Sequence, residues 1–297
     1  MRILFLFFSL SILTACAQKT VEVDNSTPQA KDKKSYWYGG EAEISSYELK
    51  QARYGEIHEG KSVLVFVTEP FSPSRNTKAD NNYPDNVSVM KLNNTRKFNT
   101  GIYPYSIMTS TFVPFENPTS SIKISNSSQE WCGHTFMDLK KDSGNFNINV
   151  DSYFEGESKE NIQLATNGYL EDDIWTMIRL NPKGLPIGDF NMLPSFTALR
   201  LLHLPTTYET CTGELVEDKE TSTYTVTYPK LQRSLSITFQ NKLPYVIESW
   251  EETNYSGWGA KRKQLTTTGK RIKTIKSAYW QKNSTSDSNL RKELGLD

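Results

Sequence analysis

The chain has 297 residues, of which 36% are hydrophobic and 12% aromatic, and its 34 Lys and Arg balance 34 Asp and Glu. A formal net charge of zero excludes the broad electrostatic footprint of a nucleic-acid binder and implies no acidic partner. Three cysteines, three histidines and no glycine-rich phosphate loop leave little material for a metal centre or a nucleotide site.

The first residues read MRILFLFFSLSILTAC. Arg2 gives a positive end and Ile3 to Leu13 form an apolar run, shorter than the roughly 20 residues needed to span a bilayer. A charged start, a short apolar core and small residues together define a secretory signal, residues 1–15. Leu13-Thr14-Ala15-Cys16 matches the bacterial lipobox, which predicts that Cys16 is acylated and becomes the new amino terminus. Several acyl chains at one residue anchor a protein stably, since each buried methylene contributes about 0.8 kcal/mol. Ala17 follows in place of the aspartate that retains many such proteins at the inner membrane, so the expected location is the outer membrane, on either face. Residues 16–35 are polar and read as a lipidated end and flexible tether.

From Tyr36 the composition changes and a β-rich body is expected over 36–282. AEISSYELKQARYGEI leads into HEGK, predicting a first hairpin. SVLVFVTEPF (62–71) is a continuous apolar run of strand length, as expected for a strand covered on both faces. NVSVMKLN, YSIMTSTFVPF, SSIKIS, QEWCGHTFMDL and FNINVDSYF follow as strands, separated by Asn, Ser, Gly and Pro clusters that act as turn signals. A helical insertion is predicted at about 167–205. NGYLEDDIWTMIRLNP places Leu170, Ile174, Trp175 and Ile178 on one stripe, and Glu171, Asp172 and Asp173 sit in the first turn, at the positive end of the helix dipole. SFTALRLLH predicts a second short helix between Pro194 and Pro205. STYTVTYP, LSITFQ and YVIESWEE then resume the sheet, with NKLP as a turn, and KRKQLTT and KRIKTIKSAYW predict a last hairpin about Thr268-Gly269. Residues 283–297 read as a polar tail. The expected fold is mainly β: one large curved antiparallel sheet, an unclosed barrel, with a short helical segment covering one face. Separate β domains joined by helices are the alternative.

SSQEWCGHTF (127–136) poses the question of catalysis. On a strand, Cys132, His134 and Phe136 share a face, but residues two apart stand about 6.6 Å apart along it. A thiol–imidazole pair needs heavy atoms within roughly 2.6–3.2 Å. The alternative to a thiol-dependent or hydrolytic enzyme using Cys132 and His134 is structural: Cys132 and Cys211 either bridge or remain two free buried thiols. His58, His134 and His203 are scattered, so no metal and no cofactor is expected. From Thr253 to Ser286 eight basic residues stand without an acidic one: Lys261, Arg262, Lys263, Lys270, Arg271, Lys273, Lys276 and Lys282. They make either a ribbon for anionic lipid headgroups or a solvated edge strand guarded by lysine.

YWYGGEAEISSYELKQARYGEIHEGKSVLVFVTEPFS, KFNTGIYPYSIMTS and SSQEWCGHTF, with LEDDIW and LPSF, resemble a family of uncharacterised lipoproteins from Bacteroidetes-type bacteria. Members often carry the label "septum formation inhibitor Maf". A Maf-type nucleotide pyrophosphatase implies an α/β fold and a Ser-rich, double-arginine loop, whereas this chain offers Ser72-Pro73-Ser74-Arg75 behind an export signal, and no catalytic residue carries over. YELKQARYGEIHEGKSVLVFV and NKLPYVIES also resemble strands of unclosed β-barrels of the lipoprotein-carrier type. That likeness implies a concave apolar face able to hold an acyl chain. The expected function is non-enzymatic: an outer-membrane lipoprotein whose partners are membrane lipid, through its acyl chains, and an apolar ligand or envelope protein.

Overall fold

The computed structural model describes residues 28–157 and 160–297. The signal segment, Cys16 and most of the tether lie outside the described residues. Sixteen strands form one sheet: β1 (Ala42–Arg53), β2 (Glu56–Ser72), β3 (Thr77–Lys78), β4 (Val87–Thr100), β5 (Tyr103–Pro114), β6 (Lys123–Glu130), β7 (Gly133–Asp142), β8 (Asn145–Ser152), β9 (Glu160–Ala165), β10 (Tyr169–Leu170), β11 (Gly188–Leu193), β12 (Glu209–Glu217), β13 (Thr221–Tyr228), β14 (Arg233–Gln240), β15 (Ile247–Ser256) and β16 (Lys263–Ser277). Among the described residues four α-helices accompany them: α1 (Pro28–Trp37), α2 (Glu171–Leu180), α3 (Phe196–Leu202) and α4 (Asn289–Glu293).

The sheet is a single path. It runs from β10 through β11 to β16, then to β1, β2, β4 and onward to β9, with β3 paired to β2. Every pairing is antiparallel except β10 with β11. Among the described residues no ladder joins β9 to β10, so the barrel is unclosed. Its curvature follows from the core. Ile107 on β5, Tyr224 on β13, Trp250 on β15 and the α2 residues Ile174, Trp175 and Ile178 belong to one buried cluster. Strands lie about 4.8 Å apart in a sheet, so residues this far apart in strand order meet only if the sheet wraps round α2. A second cluster packs Phe196 and Leu199 of α3 on Ile124, Met137, Leu139, Phe146 and Ile148 of β6, β7 and β8.

Both predicted helices form where the apolar stripes placed them, and Ser195 caps α3 by accepting from the Ala198 amide at 3.2 Å. The turns differ from expectation at three places. The first hairpin turns at Tyr54-Gly55, whose φ values of 55° and 78° suit a type I′ turn; HEGK lies inside β2. Gly60 is required there because a Cβ would stand 2.2 Å from the Lys97 carbonyl oxygen. QEWCGHTFMDL is no single strand, since Trp131-Cys132 is the turn between β6 and β7. Thr268-Gly269 lies within the continuous strand β16, and the Trp250 ring occupies the space a Gly269 side chain would need, 2.2 Å from a Cβ. Residues 28–35, read as tether, belong to α1, whose last residue Trp37 is buried and accepts through its carbonyl from Thr68 Oγ1 at 2.8 Å. The 283–297 stretch, read as a polar tail, carries α4 and buries Leu294 against Ala42, Ile44 and Val67 on the outer face of the sheet.

All ten residues of α2 are buried. Its acidic first turn does more than favour the helix dipole. Arg233 grips the Glu171 carboxylate with both terminal nitrogens, one at 2.6 Å, and the Tyr228 hydroxyl donates to it at 2.6 Å. Asp172 accepts from the Phe196 amide at 2.9 Å, and Asp173 accepts from the Ser121 amide at 2.8 Å and from the Ser121 hydroxyl. At the far end Arg179 binds Glu43 at 2.6 Å and donates from Nε to the Pro244 carbonyl at 2.8 Å. Polar bonds of this kind fix the rotation and height of the helix inside the sheet. Burial pushes the Asp172 carboxyl up to about 8 and that of Asp173 up to about 6. The folded chain therefore keeps the Asp172 proton after the unfolded chain has released its own near pH 4. The Asp172 contribution to stability is fullest below that pH and falls by about 1.4 kcal/mol per pH unit until Asp172 itself ionises near 8. Asp172→Asn is expected to flatten this slope; equal declines in urea midpoint between pH 5 and pH 8 for both proteins would refute the assignment.

Candidate functional site

The concave face expected to hold an acyl chain is filled. α2, the aromatic cluster and the buried ion pairs occupy it, including Arg96 with Glu252 at 2.5 Å. Open space lies instead between the α3 region and strands β7 to β9, on the side of the unpaired edge of β9. There Leu199 and Leu204 from the α3 region face Met137 of β7, Val150 of β8 and Phe154, around a cleft of roughly 560 Å³. Charge gathers at the side of this cleft. The buried Arg200 guanidinium stacks 4.5 Å from the Phe154 ring and stands 3.8 Å from both Glu130 and Glu157. His203, which ends α3 in the left-handed conformation with φ 53°, contacts Glu157 through Nδ1. An apolar wall beside a small charged group suits a ligand with an apolar body, and the volume falls in the usual range for such sites, roughly 300–1,000 Å³.

The sequence-predicted candidates do not join this cleft. Cys132 is exposed in the β6–β7 turn, where its backbone amide donates to Glu130 Oε2 at 2.7 Å. Hydrogen bonding to the Glu130 carboxylate pushes its thiol above the ordinary range, the wrong direction for a nucleophile. His134, exposed on β7, lines a separate surface hollow with Phe136 and Tyr153, and no hydrogen bond joins it to Cys132 among the described residues. Cys211 is buried on β12, its Sγ donating to the Phe190 carbonyl at 3.5 Å, and burial pushes its thiol up to about 12. Both cysteines are free, which corrects the disulfide alternative: one sits on a turn tip and the other in the core.

The basic run is likewise divided. β16 is an interior strand between β15 and β1, not an edge, so lysine there does not guard against sheet-to-sheet pairing. Arg271 is tied to Glu248 at 2.9 Å, Lys276 donates to the Tyr36 carbonyl at 2.6 Å, and Lys273 stands 4.0 Å from Glu293. Lys261, Arg262, Lys263 and Lys270 remain exposed, the first three at the end of the barrel beside Trp258. Among the described residues no three His, Cys, Asp or Glu side chains gather as metal ligands, and no helix is long and apolar enough to cross a membrane. Sequence reasoning missed Arg53 and Arg200. Their only signal is an arginine at an inward position of an otherwise apolar face, which becomes visible once the strand end and the α3 stripe are placed.

Topology and seam together define the class: a mainly β protein built as an unclosed barrel on two internal helices. No protein-family model and no curated protein matches the chain. Among solved structures it is similar to a β-barrel-like protein of a domain of unknown function, DUF1849, from Brucella abortus, at 10% identity over 80% of this chain and 98% of that one, with a TM-score of 0.42. It is also similar to a porin-like protein from Bacteroides uniformis, at 7% identity over 77% of this chain and 95% of that one, with a TM-score of 0.20.

Proposed function

We propose that the chain is an outer-membrane lipoprotein, anchored through acyl groups on Cys16, that binds an apolar-chain ligand without chemistry in the seam cleft. The observation that carries the reading is the cleft itself. It is an open, largely apolar space of roughly 560 Å³ between the α3 region and strands β7, β8 and β9, on the side where β9 pairs with no further strand among the described residues. The lipobox and the export signal support an envelope location, where acyl chains are abundant. The raised Cys132 thiol and its separation from His134 favour binding over thiol catalysis.

Thr206→Trp tests the site, because Thr206 lines the cleft from the half-buried loop after α3 and an indole there fills space without entering the core. The full-length protein in a non-ionic detergent is expected to enhance the fluorescence of an anthroyl-labelled fatty acid, and the variant to lose at least tenfold in affinity. Equal binding by both proteins, or none by the wild type, would remove the cleft from consideration.

A further inference from the structure

Five arginines are buried among the described residues: Arg53, Arg96, Arg179, Arg200 and Arg233. Four of them stand within 4.0 Å of a carboxylate, on Glu252, Glu43, Glu130 and Glu171 respectively. Arg53, at 7% exposure, has no carboxylate partner among the described residues. Its Nη1 donates to the Leu201 carbonyl at the end of α3, the Tyr54 ring lies 4.4 Å from its guanidinium, and its Nε is buried with no hydrogen-bond partner. An unpaired buried charge is unfavourable, so an anion beside it is stabilised twice, by attraction and by relief of that burden.

The space beside Arg53 fits such an anion. It is a pocket of roughly 330 Å³ at the mouth of the barrel, walled by Tyr54, Leu231 and Trp258, with Arg262 on its outer side and no Asp or Glu in its lining. Arg262 is exposed and stacks 4.1 Å from the Tyr255 ring, which holds its planar fork near the opening. Two guanidinium groups present parallel N–H donors that match a tetrahedral oxyanion, and two cations balance the nearly double charge of a phosphate monoester. Trp258 is 65% exposed at the rim, a placement suited to the boundary between headgroup and chain.

We propose that this pocket binds a phosphate-class oxyanion, with Arg53 as the inner and Arg262 as the outer ligand. Its source is an amphiphile headgroup or free phosphate. His203 and Leu204 line both this pocket and the seam cleft, which places a headgroup here beside a chain there. The phosphate site stands without the chain reading, because inorganic phosphate has no chain to lose.

The test titrates the full-length protein in non-ionic detergent with inorganic phosphate, and separately with micelles doped with phosphatidic acid, whose headgroup is a phosphate monoester. Tryptophan emission and melting temperature are both followed. Wild type is expected to respond to at least one probe. Arg262→Gln, a surface change that spares the fold, is expected to weaken that response about tenfold, and Arg53→Gln to abolish it. Phosphate alone acting identifies the free ion as ligand; doped micelles alone acting identify a lipid headgroup. No response to either probe overturns the site, and so does a response that Arg262→Gln leaves unchanged.

Discussion

Arg233→Met is expected to lower the free energy of unfolding by about 3–5 kcal/mol, the usual cost of stranding one partner of a buried ion pair. Arg233 holds Glu171 through two short bonds while both side chains are about 1% exposed. Methionine fills comparable volume, so the loss would be electrostatic and not a cavity effect. Glu171 would then keep only the Tyr228 hydroxyl as a donor. Adding Glu171→Leu is expected to recover most of the loss, because a well-packed apolar pair often matches a buried salt bridge. Urea unfolding at neutral pH measures both proteins. A single variant within 1 kcal/mol of wild type would mean that water reaches the first turn of α2, contrary to its burial.

The second large effect is expected at Gly269. Its alanine variant places a methyl 2.2 Å from the Trp250 ring, inside the core, where Trp250 also meets Tyr47 and Trp175 with ring centres 4.7 and 5.3 Å away. Overpacking of this kind costs about 1–3 kcal/mol and sometimes more. Trp250→Leu alone loses a large buried side chain, at about 3 kcal/mol. Combined, the two changes are expected to cost clearly less than their sum, because the smaller side chain vacates the space the methyl needs. Strict additivity in a double-variant cycle would show that the ring and the strand move apart independently.

The strands and helices were legible because their sequence signals are local. SVLVFVTEPF reads as covered on both faces, and the structure supplies the two covers: Leu64 and Phe66 enter the main cluster, while Val63, Val65 and Val67 meet the C-terminal Leu294 and Leu296 outside. The α2 stripe was equally plain. Its polar residues were not, since the acidic run Glu171-Asp172-Asp173 looks the same in sequence whether it caps an exposed helix or anchors a buried one. Glycine misled twice. Gly60 and Gly269 have the sequence surroundings of turn residues, yet each serves a close approach inside a strand, and only the identity of the cross-strand neighbour separates the two uses. The pockets were the least legible part. Arg53, Arg200 and Arg262 come from a strand end, a helix and a loop, and their assembly depends on the wrap of the sheet and not on any spacing along the chain.

The pairing of β1 with β16 joins segments more than two hundred positions apart, and it lies in the middle of the strand order. Each half of the sheet is a run of neighbours that can zip as it leaves the ribosome. The central ladder cannot begin until almost the whole polypeptide has emerged. Until then β1 and β15 present bare amides and carbonyls, ready templates for association with other chains. Folding of this protein therefore calls for something that keeps both halves apart from their neighbours until the last strand arrives.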